Sequence, residues 1–84
     1  MSPLWPDGLP LTVETNAHGK PLRLRVDGDW LDIDLICNRW RASGEWREGE
    51  TEREYIKLAT TSGALRLIAQ DIADEQWYLI RVYD

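Results

Sequence analysis

The only histidine and the only cysteine of the chain, His18 and Cys37, are the residues best able to act alone as a base, a nucleophile or a metal ligand. His18 lies in "NAHGKP", with no cysteine or paired carboxylate at ligand spacing, so we interpret it as a solvated turn residue. Cys37 lies in an apolar run without a histidine to activate it, which predicts a buried, inert thiol. We therefore expect a protein that is not an enzyme, with no catalytic residue, no metal and no cofactor.

A pair of carboxylates, Asp32 and Asp34, is the other candidate for catalysis. In a strand the two would share one face about 7 Å apart, a spacing that a hydrolase could use. Arg23 and Arg25 show the same spacing in the preceding apolar run. Opposite charges on neighbouring strands stabilise a sheet, and we favour this cross-strand interpretation.

Arg39, Trp40 and Arg41 form a cluster of basic and aromatic residues, the combination that binds single-stranded nucleic acid. Against this interpretation stand five nearby glutamates, Glu45, Glu48, Glu50, Glu52 and Glu54. Without excess positive charge, the release of counterions contributes little to binding. We therefore favour Trp40 as a residue of the core or one that packs against the N-terminal segment.

Trp46 stands alone among polar residues in "GEWREGE". A tryptophan in an exposed loop is typical of interface anchors, which predicts a partner-binding site at Trp46, Arg47 and Glu48. The alternative is that Trp46 folds back to cap the domain beside Trp40.

These residues must be positioned by β-structure, because apolar residues alternate along most of the chain and turn residues separate the runs. We predict six strands, near 10–15, 21–27, 30–41, 53–60, 64–70 and 76–83. Short turns between them favour an all-β, six-stranded antiparallel meander that forms a small, partly open barrel of SH3-like or OB-like type. The prolines near the start predict an extended arm over residues 1–9, followed by a single domain over 10–84.

Three segments add detail to this scheme. Leu31, Ile33 and Leu35 alternate on one face, but Ile36 and Trp40 are out of phase with them, which predicts a β-bulge near 35–37. Leu65, Ile68, Ile72 and Gln76 are also spaced as on one face of a helix, so a helix is the alternative for 64–76. The last run, "WYLIRVYD", is apolar in both phases, which predicts a closing strand that is covered on both faces.

Composition narrows the class of partner. The 84 residues carry a net charge of −5 and include five tryptophans, three tyrosines and no phenylalanine. The negative charge disfavours nucleic acid and anionic lipid, so a protein partner is the default. No stretch is apolar enough for a membrane span or arranged like a signal peptide, and we expect a cytoplasmic protein with no membrane association.

Several motifs resemble those of a known family: "GKPLRLRVDG", Trp40 followed by "SGEW", "REYIKL", Asp71 and the final "WYLIRVYD". Over roughly residues 10–84 the chain resembles an uncharacterised bacterial family of small tryptophan-rich domains. Its members occur alone or at the tail of translesion-polymerase-like proteins of the mutagenesis cassette. The chain departs from that pattern in having Glu45-Trp46 in place of paired tryptophans, and "ADEQ" in place of a turn with glycine.

The resemblance implies a setting in DNA damage tolerance and no specific activity. Together, these observations lead us to expect a non-enzymatic protein-binding module that uses Trp46. The alternative is a single-stranded nucleic-acid binder that uses Trp40, Arg39 and Arg41. The sequence leaves the oligomeric state open.

Overall fold

The protein is a closed antiparallel barrel in which six strands follow one another in chain order. The computed structural model describes residues 4–26, 28–43 and 52–83. The strands are β1 Leu4–Thr15, β2 Pro21–Val26, β3 Asp29–Ser43, β4 Glu52–Thr60, β5 Leu65–Asp71 and β6 Trp77–Tyr83. The predicted all-β meander is confirmed, with one difference. The barrel is closed rather than partly open, because β1 pairs with both β2 and β6.

Hydrogen bonds within the turns stabilise the hairpins. The Asn16 Oδ1 accepts hydrogen bonds from the backbone amides of His18 and Lys20, at 2.8 and 3.0 Å. Gly19 supplies the positive φ that this turn requires. At the β4–β5 hairpin, the Gly63 amide donates to the Thr60 carbonyl at 2.8 Å. The turn residues of the sequence therefore act as predicted.

The core is aliphatic, with one tryptophan. Seven buried side chains form it, from every strand except β3: Leu11, Leu24, Ile56, Leu58, Ile68, Trp77 and Leu79. Strand β3 contributes partly buried residues, Leu31, Ile33 and Ile36. A polar group closes the core near the β4–β5 turn, where the Thr60 hydroxyl accepts a hydrogen bond from Arg66 Nη1 at 2.8 Å.

Strand β3 contains two irregularities, one between Ile33 and Leu35 and one between Ile36 and Asn38. The second is the predicted bulge. The first was not predicted, and it makes the expected position of Leu35 wrong. Leu35 pairs with Ala59 on the outside of the barrel and is 59% exposed, whereas Ile36 pairs with the fully buried Leu58.

The first and the last strand of the barrel, β1 and β6, lie next to each other. Strand β1 begins at Leu4, inside the predicted arm, and its first residues pair with β6 through Leu4↔Arg81 and Leu9↔Leu79. Strand β6 also pairs with β5, so the predicted closing strand is confirmed and is bonded on both sides. Residues 65–71 form a strand and not the alternative helix. Among the described residues, no helix is long and apolar enough to cross a membrane.

Candidate functional site

Two of the large hydrophobic side chains that are exposed among the described residues, Leu35 and Trp40, lie on the outside of strands β3 to β6, which we call the outer sheet face. Residues that pair directly in an antiparallel sheet point to the same side, so the register defines three rows across the four strands. The first row is Trp40, Tyr55, Ala69 and Tyr78; the second is Asn38, Lys57, Leu67 and Arg81; the third is Leu35, Ala59, Leu65 and Tyr83. None of these residues belongs to the barrel core.

An aromatic stack lies at one end of the first row. The Trp40 and Tyr55 rings are nearly parallel, with 5.7 Å between their centroids and 13° between their planes. Trp40 is still 41% exposed, so its interpretation as a core residue is wrong. In the same row, Ala69 is fully buried although it points outward, because it lies between Tyr55 and Tyr78. The row therefore combines an exposed aromatic stack on β3 and β4 with a tyrosine on β6.

Cationic side chains lie over the tyrosines of this face. The Arg53 guanidinium is 4.6 Å from the centre of the Tyr78 ring. Lys57 Nζ and the Arg81 guanidinium are 4.8 and 4.7 Å from the centre of the Tyr83 ring. Such contacts hold each cation close to an apolar surface.

The third row is apolar. Leu35 is its most exposed member, and Ala59, Leu65 and Tyr83 are half-buried. Leu67 of the second row extends the same surface. The outer sheet face therefore combines apolar side chains with tyrosines and cations, a mixture that is common in protein interfaces.

The predicted cluster of Arg39, Trp40 and Arg41 does not converge on this face. Arg39 pairs with the inward-facing Ile56, so its phase is opposite to that of Trp40. Arg39 Nη2 and Arg41 Nε both contact the Glu54 carboxylate, at 2.6 and 3.8 Å. One carboxylate thus offsets part of the positive charge of both arginines.

A second exposed tryptophan, Trp30, lies on the outside of β1 to β3. It is 41% exposed, and the guanidinium groups of Arg23 and Arg25 lie 4.6 and 6.0 Å from its ring centre. Arg23 Nη2 also contacts Glu14 Oε2 at 2.9 Å, and this hydrogen bond is the main cause that raises the pKa of Arg23. The charges on this side are balanced.

The predicted cross-strand pairing of Arg23 and Arg25 with Asp32 and Asp34 is confirmed in part. Arg23 pairs directly with Asp32, but Arg25 pairs with Trp30 and not with Asp34. Asp34 falls at the first irregularity of β3 and has no direct pairing partner in the register.

His18 lies in the β1–β2 turn, whereas Cys37 lies in β3. His18 is exposed, as predicted for a turn residue. The prediction of a buried thiol is wrong, because Cys37 is exposed at the second irregularity of β3. Within residues 4–26, 28–43 and 52–83, no group of three or more His, Cys, Asp or Glu side chains is arranged to hold a metal ion.

An open cavity of about 520 Å³ lies at the end of the barrel, between the β1–β2 and β5–β6 turns. Its lining is mixed in polarity and consists of Val13, Thr15, Gly19, Gln70, Ile72, Glu75 and Trp77. Neither His18 nor the aspartates of β3 line it, so the pocket that would support a hydrolase is not formed by this cavity.

The predicted partner-binding residues Trp46, Arg47 and Glu48 lie outside the described residues. Sequence reasoning missed Tyr55, Lys57, Tyr78, Arg81 and Tyr83 as members of a surface. A signal was present in "REYIKL", where Arg53, Tyr55 and Lys57 occupy the phase opposite to the buried Ile56 and Leu58. Large aromatic and basic residues in the outward phase indicate an outer surface rich in tyrosines and cations.

Comparison of the chain with protein-family models, curated proteins and solved structures found no match. The function proposed below therefore rests on the sequence and the geometry of this chain.

Proposed function

We propose that this protein is a non-enzymatic protein-binding module, and that the outer sheet face is its main binding surface. The observation that carries the proposal is the Trp40–Tyr55 stack, half-exposed on the same sheet face as Leu35, which is 59% exposed. Exposed apolar surface of this kind is unfavourable in water, and partner proteins commonly cover it. Tryptophan and tyrosine are also the residues that most often dominate the energy of an interface.

The closed barrel restricts how a partner can bind. Each described strand pairs with two neighbours, and the backbone hydrogen bonds lie in the plane of the sheet, so the outer sheet face presents side chains to a partner. A partner of the outer sheet face must therefore dock on side chains. This mode of binding fits the large aromatic rings and the leucines of the three rows.

Trp46, Arg47 and Glu48 stay in the proposal as a second contact, on the evidence of the sequence. They belong to the segment between β3, which carries Trp40, and β4, which carries Tyr55. The family resemblance adds that the partner belongs to a DNA-damage-tolerance assembly.

The test is affinity capture from the native host with the wild type, Trp40→Ala, Trp46→Ala and the matched control Trp30→Ala. Trp30 has the same exposed fraction as Trp40 and also contacts other side chains, so both substitutions should cost similar stability, about 1–2 kcal/mol. We expect Trp40→Ala and Trp46→Ala to lose a protein that the wild type and Trp30→Ala retain. Equal capture by all four chains, or equal loss with Trp30→Ala, would contradict the proposal.

Single-stranded nucleic acid is the second candidate, because the exposed ring of Trp40 offers a stacking surface. It ranks second since Arg39 and Arg41 both contact Glu54, which weakens their attraction for phosphate. The measurement is fluorescence anisotropy of labelled oligothymidylate at increasing salt. Micromolar, salt-sensitive binding that Trp40→Ala removes would place this function first.

A further inference from the structure

We infer that the outer sheet face selects an acidic peptide segment, and that Lys57 and Arg81 bind its carboxylates. This inference rests on the proposed function and adds the chemistry of the partner. It follows from the charge, the geometry and the size of the face.

The charge of the face is opposite to that of the chain. Among the described residues, the register places three cations on it, Arg53, Lys57 and Arg81, and one carboxylate, Asp71, opposite Arg53. The whole chain has a net charge of −5. Complementary charge steers the encounter of two proteins and fixes their register, so this face favours an anionic partner.

Lys57 and Arg81 lie in the second row on either side of Leu67, and no anion among the described residues forms an ion pair with them. Both lie over the Tyr83 ring. The Nε of Arg81 is buried and has no hydrogen-bond acceptor among the described residues. A partly covered cation gains from an acceptor supplied by a partner, since charge-assisted hydrogen bonds are the strong ones.

The apolar part of the face favours a peptide over nucleic acid. Leu35, Leu65 and Leu67 surround the two cations, and leucines offer no stacking surface for bases. The rings of Tyr78 and Tyr83 already have cations over them, so they are not free for bases either. An alternation of acidic and aliphatic side chains matches this pattern of cations and leucines.

The size of the face favours a short segment. Four strands about 4.8 Å apart and three rows about 7 Å apart cover roughly 15 by 14 Å before side chains are added. That area is well below the roughly 800 Å² per partner of a standard protein interface. A second copy of this chain fits less well, because a symmetric dimer through this face would bring the cations of both copies together.

The experiment compares three synthetic peptides of about eight residues, with alternating Glu and Leu, Gln and Leu, or Lys and Leu. Binding is followed by the amide chemical shifts of Lys57, Leu67, Arg81 and Tyr83 in the whole chain. We expect the Glu-Leu peptide to bind this face at least about threefold more tightly than the Gln-Leu peptide, since two ion pairs are added. The preference should shrink as salt rises from about 50 mM to about 500 mM.

Two double variants and one control locate the effect. Lys57→Gln with Arg81→Gln should remove the preference for glutamate, and Lys57→Glu with Arg81→Glu should transfer it to the Lys-Leu peptide. Arg25→Gln, which removes a cation on the opposite side of the barrel, should change nothing. Well-dispersed amide spectra establish that each variant is folded.

The possible failures are distinguishable. Equal binding of the Glu-Leu and Gln-Leu peptides at this face would overturn the inference and leave the proposed function standing. Binding of oligothymidylate at this face, with none of any peptide, would overturn both. If no probe shifts these four amides, the face does not select acidic peptides and the inference is wrong.

Discussion

Gly8 packs directly against the Tyr78 side chain. A Cβ placed on Gly8 would lie 2.5 Å from the Tyr78 Cβ and 2.9 Å from its Cγ. The φ of Gly8 is +92°, a conformation that residues with a side chain rarely adopt. Tyr78 lies on β6 and also pairs with Pro10, which is on β1 like Gly8. The contact therefore joins β1 to β6 where the barrel closes.

Gly8→Ala should therefore destabilise the protein by about 2–4 kcal/mol, because backbone strain adds to a steric clash. The Cβ of Tyr78 is fixed by its strand and cannot move aside as a flexible side-chain end would. The matched control is Gly19→Ala, since Gly19 also has a positive φ but no heavy atom within 4 Å of the added Cβ. Thermal unfolding should show the larger loss for Gly8→Ala, and equal losses would contradict the close packing.

Glu75 is the only non-glycine residue with a positive φ among the described residues, at 62°. Replacing it with glycine should raise the stability by about 0.5–1 kcal/mol, because relief of strain exceeds the added entropy of the unfolded chain. In a domain of this size the midpoint of thermal unfolding should rise by about 2–8 °C. Glu75→Ala removes the same carboxylate but keeps the strain, so it should give no such gain. A gain of similar size for Glu75→Ala would show that the carboxylate and not the backbone is unfavourable.

The sequence predicted the six strands well because their signals are local. Alternation of apolar residues and the turn residues Asn16, Gly19 and Gly63 fix where the chain extends and where it reverses. The start of β1 was misjudged because the prolines near it indicate an arm. Pro6 is tolerated since the β1–β6 register is irregular between Leu4 and Leu9.

The faces of β3 were harder to predict, since two bulges in one strand restore the original phase. After both bulges, Trp40 points outward, as Asp32 does before them. The alternation of apolar residues therefore shows one change of phase, although the strand contains two bulges. This hid the outward position of Leu35 and made Trp40 look like a core residue. The rows of the outer sheet face also depend on pairing between strands, which a single sequence does not contain.

The Thr60 hydroxyl is a buried polar group whose loss should be costly. It accepts a hydrogen bond from Arg66 Nη1 and is also bonded to the Ser62 hydroxyl, both at 2.8 Å. Thr60→Val should destabilise the protein by about 1.5–3 kcal/mol, because a charged donor loses its acceptor. Denaturant unfolding measures the change, with Thr12→Val on the exposed phase of β1 as a control expected within about 0.5 kcal/mol of the wild type. Adding Arg66→Met to Thr60→Val should restore part of the stability, and no restoration would mean that the cost comes from packing alone.

Strand β6 holds the barrel closed, because it pairs with β1 on one side and β5 on the other. A chain that ends at Gln76 should therefore lose cooperative thermal unfolding. The deletion opens both ladders and removes the buried Trp77 and Leu79, each contributing about 1.5–3 kcal/mol, from a domain whose total stability is about 5 kcal/mol. Leu67→Ala provides the comparison, since it removes an apolar side chain from the outer sheet face without breaking a strand pairing, and its unfolding should stay cooperative. A sharp transition in the shortened chain would mean that β1 to β5 fold without closing the barrel. The outer sheet face would then have to form without Tyr78, Arg81 and Tyr83, the residues that β6 contributes to its three rows.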